Sequence, residues 1–446
     1  MKQAVFTQGS TLKHILIMTG ANTVGLITLF TVDLIDIYFL SLLGQEKMAA
    51  AVGFASALLF FMTSLSIGLQ IAMGALVARA EGRNDRALAG RYCSNVMLFS
   101  ALIAAALCFP VWLFAEQLLR FLGAQGHTLA LALSYCNILL PATPLLAVGM
   151  CAAASLRALG DARRAMYATM GGALINAVLD PIFIFACGWG IEGAAMASFA
   201  ARIGVFTLAV MAIVKVHKLP SKTNKAFFKA DLAAIGAIAG PAVLTNVATP
   251  IGSSYVLKMM AEFGDSAVAG AAIIGRIAPV AFVALFALSG AIGPIIGQNA
   301  GAGRYDRVRQ VVWNAMLSNL VYVLLIWGLL FLLSDSLVVF FRVDGDAAAL
   351  IGFYNYYLAG GFVFGGMLFI ANASFNNLHR AYFATLLNFG RALLGTVPLV
   401  YLLSQWFGAK GVIAGEVGGA AVFGVLGFSL VLWHISRLEK AEQASI

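Results

Sequence analysis

Twelve apolar stretches, each about 20 residues or longer, follow one another along the chain, and a helix needs about that length to cross the hydrocarbon core of a bilayer. They run over 14–43, 49–77, 92–114, 128–156, 166–187, 194–214, 233–262, 268–298, 312–334, 347–378, 382–406 and 411–435. A segment inside lipid must satisfy its own backbone hydrogen bonds, so each stretch has to be a helix. The predicted fold is an all-α polytopic membrane protein. Of 446 residues, 61% are hydrophobic and only 11% charged, with a mean hydropathy of +0.93. Soluble domains carry about 25% charged residues. The first stretch is too long for a signal peptide, and no small-residue cleavage site stands in the right place, so it counts as a span. The fourth (Pro141, Pro144), seventh (Pro241, Pro250) and eighth (Pro279, Pro294) spans are expected to bend.

The charges between spans set the orientation. Twenty basic residues fall on one side, from Lys2 and Lys13 through Arg79, Arg157, Lys215 and Arg304 to Lys440; four (Lys47, Arg120, Arg342, Lys410) fall on the other. Basic loops stay inside, so both termini are expected in the cytoplasm, the protein being multi-pass in a bacterial or archaeal inner membrane. The excess of basic over acidic residues is thereby explained. No basic stripe interleaved with aromatics suggests a nucleic-acid partner. The five cysteines are scattered singly and the histidines are isolated, giving no metal or disulfide pattern. No cofactor is expected.

The halves repeat. Gly82-Arg83-Asn84-Asp85-Arg86 recurs as Gly303-Arg304-Tyr305-Asp306-Arg307, and Ala165–Thr169 as Ala381–Thr385. Pro181 corresponds to Pro398 and Gly193 to Gly411, all at offsets of 216 to 221. An even number of spans per half brings both halves in from the same face. They are expected as two six-helix lobes related by a pseudo-twofold along the membrane normal, around a central cavity. The expected lobes are 1–215 and 231–446, joined by a cytoplasmic linker at 216–230. This plan suits a transporter.

Asn176 and Asp180 lie four residues apart in an apolar run, so a helix stacks them on one face. A carboxylate at bilayer depth is costly and by default marks a functional site. Pro181 follows at once and loosens the helix beside the acid. Asp36, in the first span, is a second such acid. The second half has Val256 and Val397 at the corresponding places. Symmetry of fold with asymmetry of charge points to a site within the first half. Two buried acids there suit reversible proton binding, and the same oxygens suit Na⁺; the residues leave both open. Asp33, one turn from Asp36, either extends the site or lines the cavity. Ser198 and Arg202 share a face of the sixth span, and Arg202 is expected to pair with an acid. In the second half, Glu416 is expected to form a salt bridge with Arg391 or Lys258. Tyr354-Asn355-Tyr356-Tyr357 suits a pliable cargo cavity.

The chain resembles the multidrug and toxic compound extrusion (MATE) family. The likeness rests on Asp36-Ile37-Tyr38-Phe39-Leu40-Ser41-Leu42-Leu43-Gly44, Leu156-Arg157-Ala158-Leu159-Gly160-Asp161, Asn176–Pro181, Gly193–Ser198 and Gly297-Gln298-Asn299-Ala300-Gly301-Ala302-Gly303-Arg304. It covers essentially the whole chain and is nearest the DinF-like branch. The resemblance implies twelve helices in two rocking lobes that export drugs in exchange for H⁺ or Na⁺. It implies an ion site made by Asp36, Asn176, Asp180, Tyr135 and, with serine in place of threonine, Ser198. Gly20-Ala21 stand near the place of that branch's first-helix proline.

The expected function is therefore a secondary active transporter, not an enzyme: a monomeric, H⁺-coupled antiporter for small amphipathic organic compounds, preferentially cationic, with Na⁺ at Asp36, Asn176 and Asp180 as the second choice of ion. A lipid-linked oligosaccharide flippase of the same superfamily is the alternative. It would require a strongly basic cavity, toward which Arg202 and Lys258 alone point. A membrane-embedded enzyme would need a nucleophile–base pair or metal cluster at one depth, and no such constellation is evident.

Overall fold

A computed structural model describes residues 4–42, 46–221 and 227–444. The described elements are helical. The first seven spans are Thr11–Leu42, Glu46–Gly82, Arg86–Leu113, Gly126–Ala158, Ala162–Ala186, Gly190–His217 and Phe228–Ala261. The eighth comes in two pieces, Asp265–Ala281 and Val283–Gly301, followed by Tyr305–Leu332 and Gly345–Asn377. The run Ala381–Gln443 holds the last two, turning at Gly408 (φ 60°, ψ −140°), a conformation open to glycine. Twelve helices thus stand where twelve apolar stretches were read. This is a multi-pass membrane protein.

Proline predicted some of the irregularities. The fourth span tightens to a 3₁₀ turn at Leu140–Ala142, around Pro141, and the eighth breaks at Phe282, just after Pro279. The seventh runs through Pro241 and Pro250 as one helix. The tenth loosens without proline, through a π-helical turn at Tyr354–Leu358 and a 3₁₀ turn at Ala359–Gly361. The repeat extends to such details. Short helices follow the third and ninth spans (Ala115–Phe121, Ser334–Phe341), and π-helical turns adjoin Pro181 and Val397-Pro398. Glycine also recurs for one reason: a Cβ on Gly193 would lie 2.7 Å from the Phe183 backbone, and one on Gly411 2.0 Å from the Leu403 carbonyl.

The chain forms two compact units. Among the described residues, one comprises Val24–Val243 with Ala4 and Val5; the other comprises Phe6–Thr23 and Leu244 onward. The first and seventh spans are thus each shared, their opening turns packed in one unit and their remainder in the other. The expected lobes, 1–215 and 231–446, differ from these units at those two helices.

Each opening turn is held by polar clasps. In the first unit, Arg91 donates to both carboxylate oxygens of Asp231 (3.1 Å each), and Asn95 Nδ2 donates to Asp231 Oδ2 at 2.6 Å. Arg91 also lies over the Phe227 ring, 4.2 Å from its centroid. Preceding residues dock on the same unit: Arg86 donates to the His217 carbonyl, Ser94 Oγ to the Ser221 carbonyl, and Leu219 is buried. Linker residues 222–226 lie outside the described residues. In the second unit, Asn314 Nδ2 donates to Thr11 Oγ1 at 2.7 Å, Arg307 to the Phe6 and Gly9 carbonyls, and Gln298 Oε1 accepts from the Phe6 N–H at 2.8 Å.

The core of the first unit packs alanines of the second, fourth and sixth spans (Ala51, Ala55, Ala132, Ala195) against Leu58, Leu129, Cys136 and Leu139. Small residues let helices approach closely where lipid offers no hydrophobic drive to associate.

Candidate cation-coupling site

The fifth span supplies Asn176 and Asp180 from one face, both buried, Asp180 completely. Pro181 has no N–H to give back to the preceding turn, and the helix relaxes to a π-helical turn at Ile182–Ala186. The sixth span lies tightly alongside because Gly172 and Gly204 carry no side chain: a Cβ at either would lie within 2.4 Å of Val205 or Ile175.

Asp36, on the part of the first span that belongs to this unit, brings its carboxyl group within hydrogen-bonding reach of Asp180. Among the described residues, no donor reaches Asp36 Oδ1 or either Asp180 oxygen, all of them buried. The Asn176 amide nitrogen, also buried, has no acceptor. Carboxylates only accept hydrogen bonds, so two facing carboxylates without a donor are incomplete. A proton between them would supply the missing donor, and a small cation would supply the missing charge.

Tyr135 of the fourth span meets Ser198 of the sixth through their hydroxyls, within electrostatic range of Asp36, Asp180 and Arg202. Asp36, Tyr135, Asn176, Asp180, Ser198 and Arg202 therefore all fall in one unit. Asp33 lies on the first span, but its side chain is outside the described residues. Phe39 and Val52 pack with Tyr135 against Ile184 and Ala194, walling the region with apolar groups.

Arg202 departs from the expected pairing. It forms no ion pair with Asp36 or Asp180; its Nη1 donates to the Leu139 carbonyl at 2.7 Å. That carbonyl stands at the 3₁₀ turn around Pro141, where the Thr143 N–H bonds to Leu140 instead. The proline break releases an acceptor, and the guanidinium takes it. Nothing in the residues near 202 pointed to this partner; Pro141 was the available signal. The second half also departs. Glu416 and Arg391 are electrostatic neighbours, yet no salt bridge closes between Glu416 and Arg391 or Lys258, and Arg391 Nε is buried without a partner.

The MatE family profile matches residues 23–182 and 241–402, once in each half. The chain belongs to the MatE family. A Shewanella oneidensis protein named FAD transporter is 28% identical to this MatE chain over 405 residues, covering 89% of each. The multidrug export protein MepA of Staphylococcus aureus is 21% identical over 387 residues, covering 85% of this chain and 84% of MepA. The bent form of the Vibrio cholerae MATE transporter VcmN superposes with a TM-score of 0.90 at 25% identity, over 97% of this chain and 98% of VcmN. An outward-facing MATE transporter of the MOP superfamily gives a TM-score of 0.92 at 22% identity, over 99% of each chain. Members of this family are secondary transporters, so the MatE chain is a transporter of small organic compounds rather than an enzyme.

Proposed function

We propose that this MatE chain is an H⁺-coupled antiporter of the DinF-like kind that exports amphipathic organic compounds by alternating access. In this reading it works as a monomer in a bacterial or archaeal cytoplasmic membrane, with its basic face and both termini inside. The observation that carries the reading is the donorless Asp36–Asp180 pair. A proton entering from outside bonds one carboxyl to the other and removes a negative charge from the apolar surroundings. It leaves to the cytoplasm when the lobes, 1–215 and 231–446 about the 216–230 linker, change access. Asn176, Tyr135 and Ser198 orient the pair. Exchange requires only that proton and cargo bind the two conformations with different affinity. Na⁺ is the second candidate: it would need several oxygens converging on one point, whereas one proton is satisfied by two.

The expected cationic cargo has a rival. The apolar stretches of the second half carry Lys258, Arg276 and Arg391 against Glu262 and Glu416, and Arg202 adds a cation in the first half. That balance, with a relative named FAD transporter, favours anionic amphiphiles such as flavin dinucleotides as a second reading.

Proteoliposomes test both. A cationic dye and a flavin dinucleotide are loaded separately, and a pH or Na⁺ gradient is imposed on wild type and Asp36→Asn. Movement driven by the pH gradient and absent from the variant is the expected result. Movement driven by Na⁺ alone, or undiminished in Asp36→Asn, would overturn the proton assignment. The cargo that moves identifies the preferred charge.

A further inference from the structure

A second site stands outside the acid pair, on the face opposite the basic loops. A cavity of about 500 Å³ opens there between the short helix Ser334–Phe341, the first turns of the tenth span and the residues just past Gly408. It is an open groove rather than an enclosed pocket. Phe353, Tyr356 and Tyr357 form its aromatic wall; of the run Tyr354–Tyr357, Tyr356 and Tyr357 line it while Tyr354 and Asn355 are buried.

Two charges line this cavity. Lys410 makes no ion pair with any described residue; its ammonium lies 5.6 Å from the centroid of the Phe353 ring. Asp335 accepts a hydrogen bond from the Tyr356 hydroxyl at 3.0 Å through Oδ1, which leaves Oδ2 open. The surroundings are suited to lipid: Leu332, Val339, Phe340 and Tyr357 are all more than 70% exposed. Aromatic residues at span ends are typical of the membrane interface, where phospholipid headgroups lie.

We propose that this cavity holds the headgroup of a zwitterionic phospholipid with a primary ammonium, the phosphate at Lys410 and the ammonium at Asp335 with the aromatic wall. One cation and one anion match a zwitterion. A purely anionic headgroup would satisfy Lys410 but meet Asp335 as a like charge. A quaternary ammonium has no N–H to donate to Oδ2, whereas a primary ammonium has three. The apolar rim takes the acyl chains, which distinguishes a lipid from a free headgroup.

Native mass spectrometry of the delipidated full-length protein tests this. It is titrated with phosphatidylethanolamine, phosphatidylcholine and phosphatidylglycerol of identical acyl chains, and with free phosphoethanolamine. Wild type is expected to retain phosphatidylethanolamine about tenfold better than the other two lipids, the ratio that one charged contact of about 1.4 kcal/mol sets. Free phosphoethanolamine should not be retained. Asp335→Asn should abolish the distinction among the lipids, and Lys410→Gln should weaken all three. Gly352→Leu, which puts bulk into the cavity beside Tyr356, should reduce occupancy while leaving the exposed charges in place. Thermal unfolding checks that each variant is folded. Equal retention of the three lipids by wild type, unchanged selectivity in Asp335→Asn, or retention of the free headgroup alone would overturn the assignment. Efflux by wild type in liposomes lacking phosphatidylethanolamine reads the antiport proposal separately.

Discussion

The two halves share a backbone plan and differ in charge at matched positions. Asp180 precedes Pro181, whereas Val397 precedes Pro398. At the start of the seventh span Asp231 accepts from Asn95 and Arg91; at the start of the first, 220 positions earlier, Thr11 accepts from Asn314 among the described residues. Asp161 caps the fifth span with its side chain, whereas Arg380 stands at the same place before the eleventh without a side-chain cap. Glycines, prolines and irregular turns recur because both halves need the same helix approaches. Acids do not recur. A duplicated fold tolerates loss of a buried charge wherever packing alone is required, so the charges that persist in one copy mark what that copy does differently.

The largest expected effect comes from making the halves alike at the acid pair. Asp180→Val gives the first half the residue of the second and should reduce pH-driven efflux to that of empty liposomes. Val397→Asp placed in the same chain should not restore it, because Val256, not a second acid, holds the place corresponding to Asp36. Restoration would show that either half can host the site and would end the argument from asymmetry.

The clasps come next. Asp231→Ala leaves the Arg91 guanidinium largely buried without its carboxylate, and removing one partner of a buried pair costs about 3–5 kcal/mol. Arg91 keeps some solvent contact, with its side chain 23% exposed, so the lower end is expected. Thr11→Ala removes a neutral hydrogen bond and should cost about 1 kcal/mol. Unfolding in detergent with increasing temperature measures both. Equal losses would mean that the ionic clasp adds nothing over its neutral counterpart.

The sequence made the spans, their number and the repeat legible because apolar length and glycine spacing are local signals. The acids were legible too, since charge in an apolar run is conspicuous. Arg202 was misjudged because its partner is a backbone carbonyl released by Pro141, 61 positions away, and a carbonyl has no sequence signature. The shared first and seventh spans were missed for a similar reason. A continuous apolar helix does not show which neighbours its opening turns meet, and Asp231 and Thr11 read as ordinary polar residues near a span end.

A smaller effect concerns Asp161, between the fourth and fifth spans. Burial alone would raise its carboxyl, but hydrogen bonds from Arg164 and His217 outweigh this and hold it below its ordinary value. A depressed acid stabilises the fold fully above its unfolded value and loses that contribution as pH falls through the folded one. The stabilisation contributed by the Asp161 carboxylate should therefore be lost only in acid. Asp161→Asn keeps the cap, since asparagine caps as well as aspartate, but removes the charge that faces Arg164, so it should reduce stability at neutral pH by less than about 1 kcal/mol and remove the acid-dependent part. Hydrogen exchange at residues 217–221 measures this. An unchanged acid profile in the variant would assign the dependence to another group.

The smallest expected effect isolates backbone from charge at the same turn. In the first half, Gly160 takes φ +85° and the Asp161 N–H bonds to the Leu156 carbonyl; in the second, His379 takes φ +59° and the Arg380 N–H bonds to the Phe375 carbonyl. Both close the helix in the same way, and only the first uses the residue for which a left-handed conformation is free of strain. His379→Gly relieves the strain but adds freedom to the unfolded chain, so the gain should be only about 0.5 kcal/mol. Gly160→Ala runs the same balance in reverse, its left-handed strain only partly offset by the reduced freedom of the unfolded chain, and should cost about 1 kcal/mol. If His379→Gly instead destabilises the protein, the imidazole makes contacts that outweigh its backbone strain. The two turns would then differ in packing, and the matched positions would no longer be equivalent there.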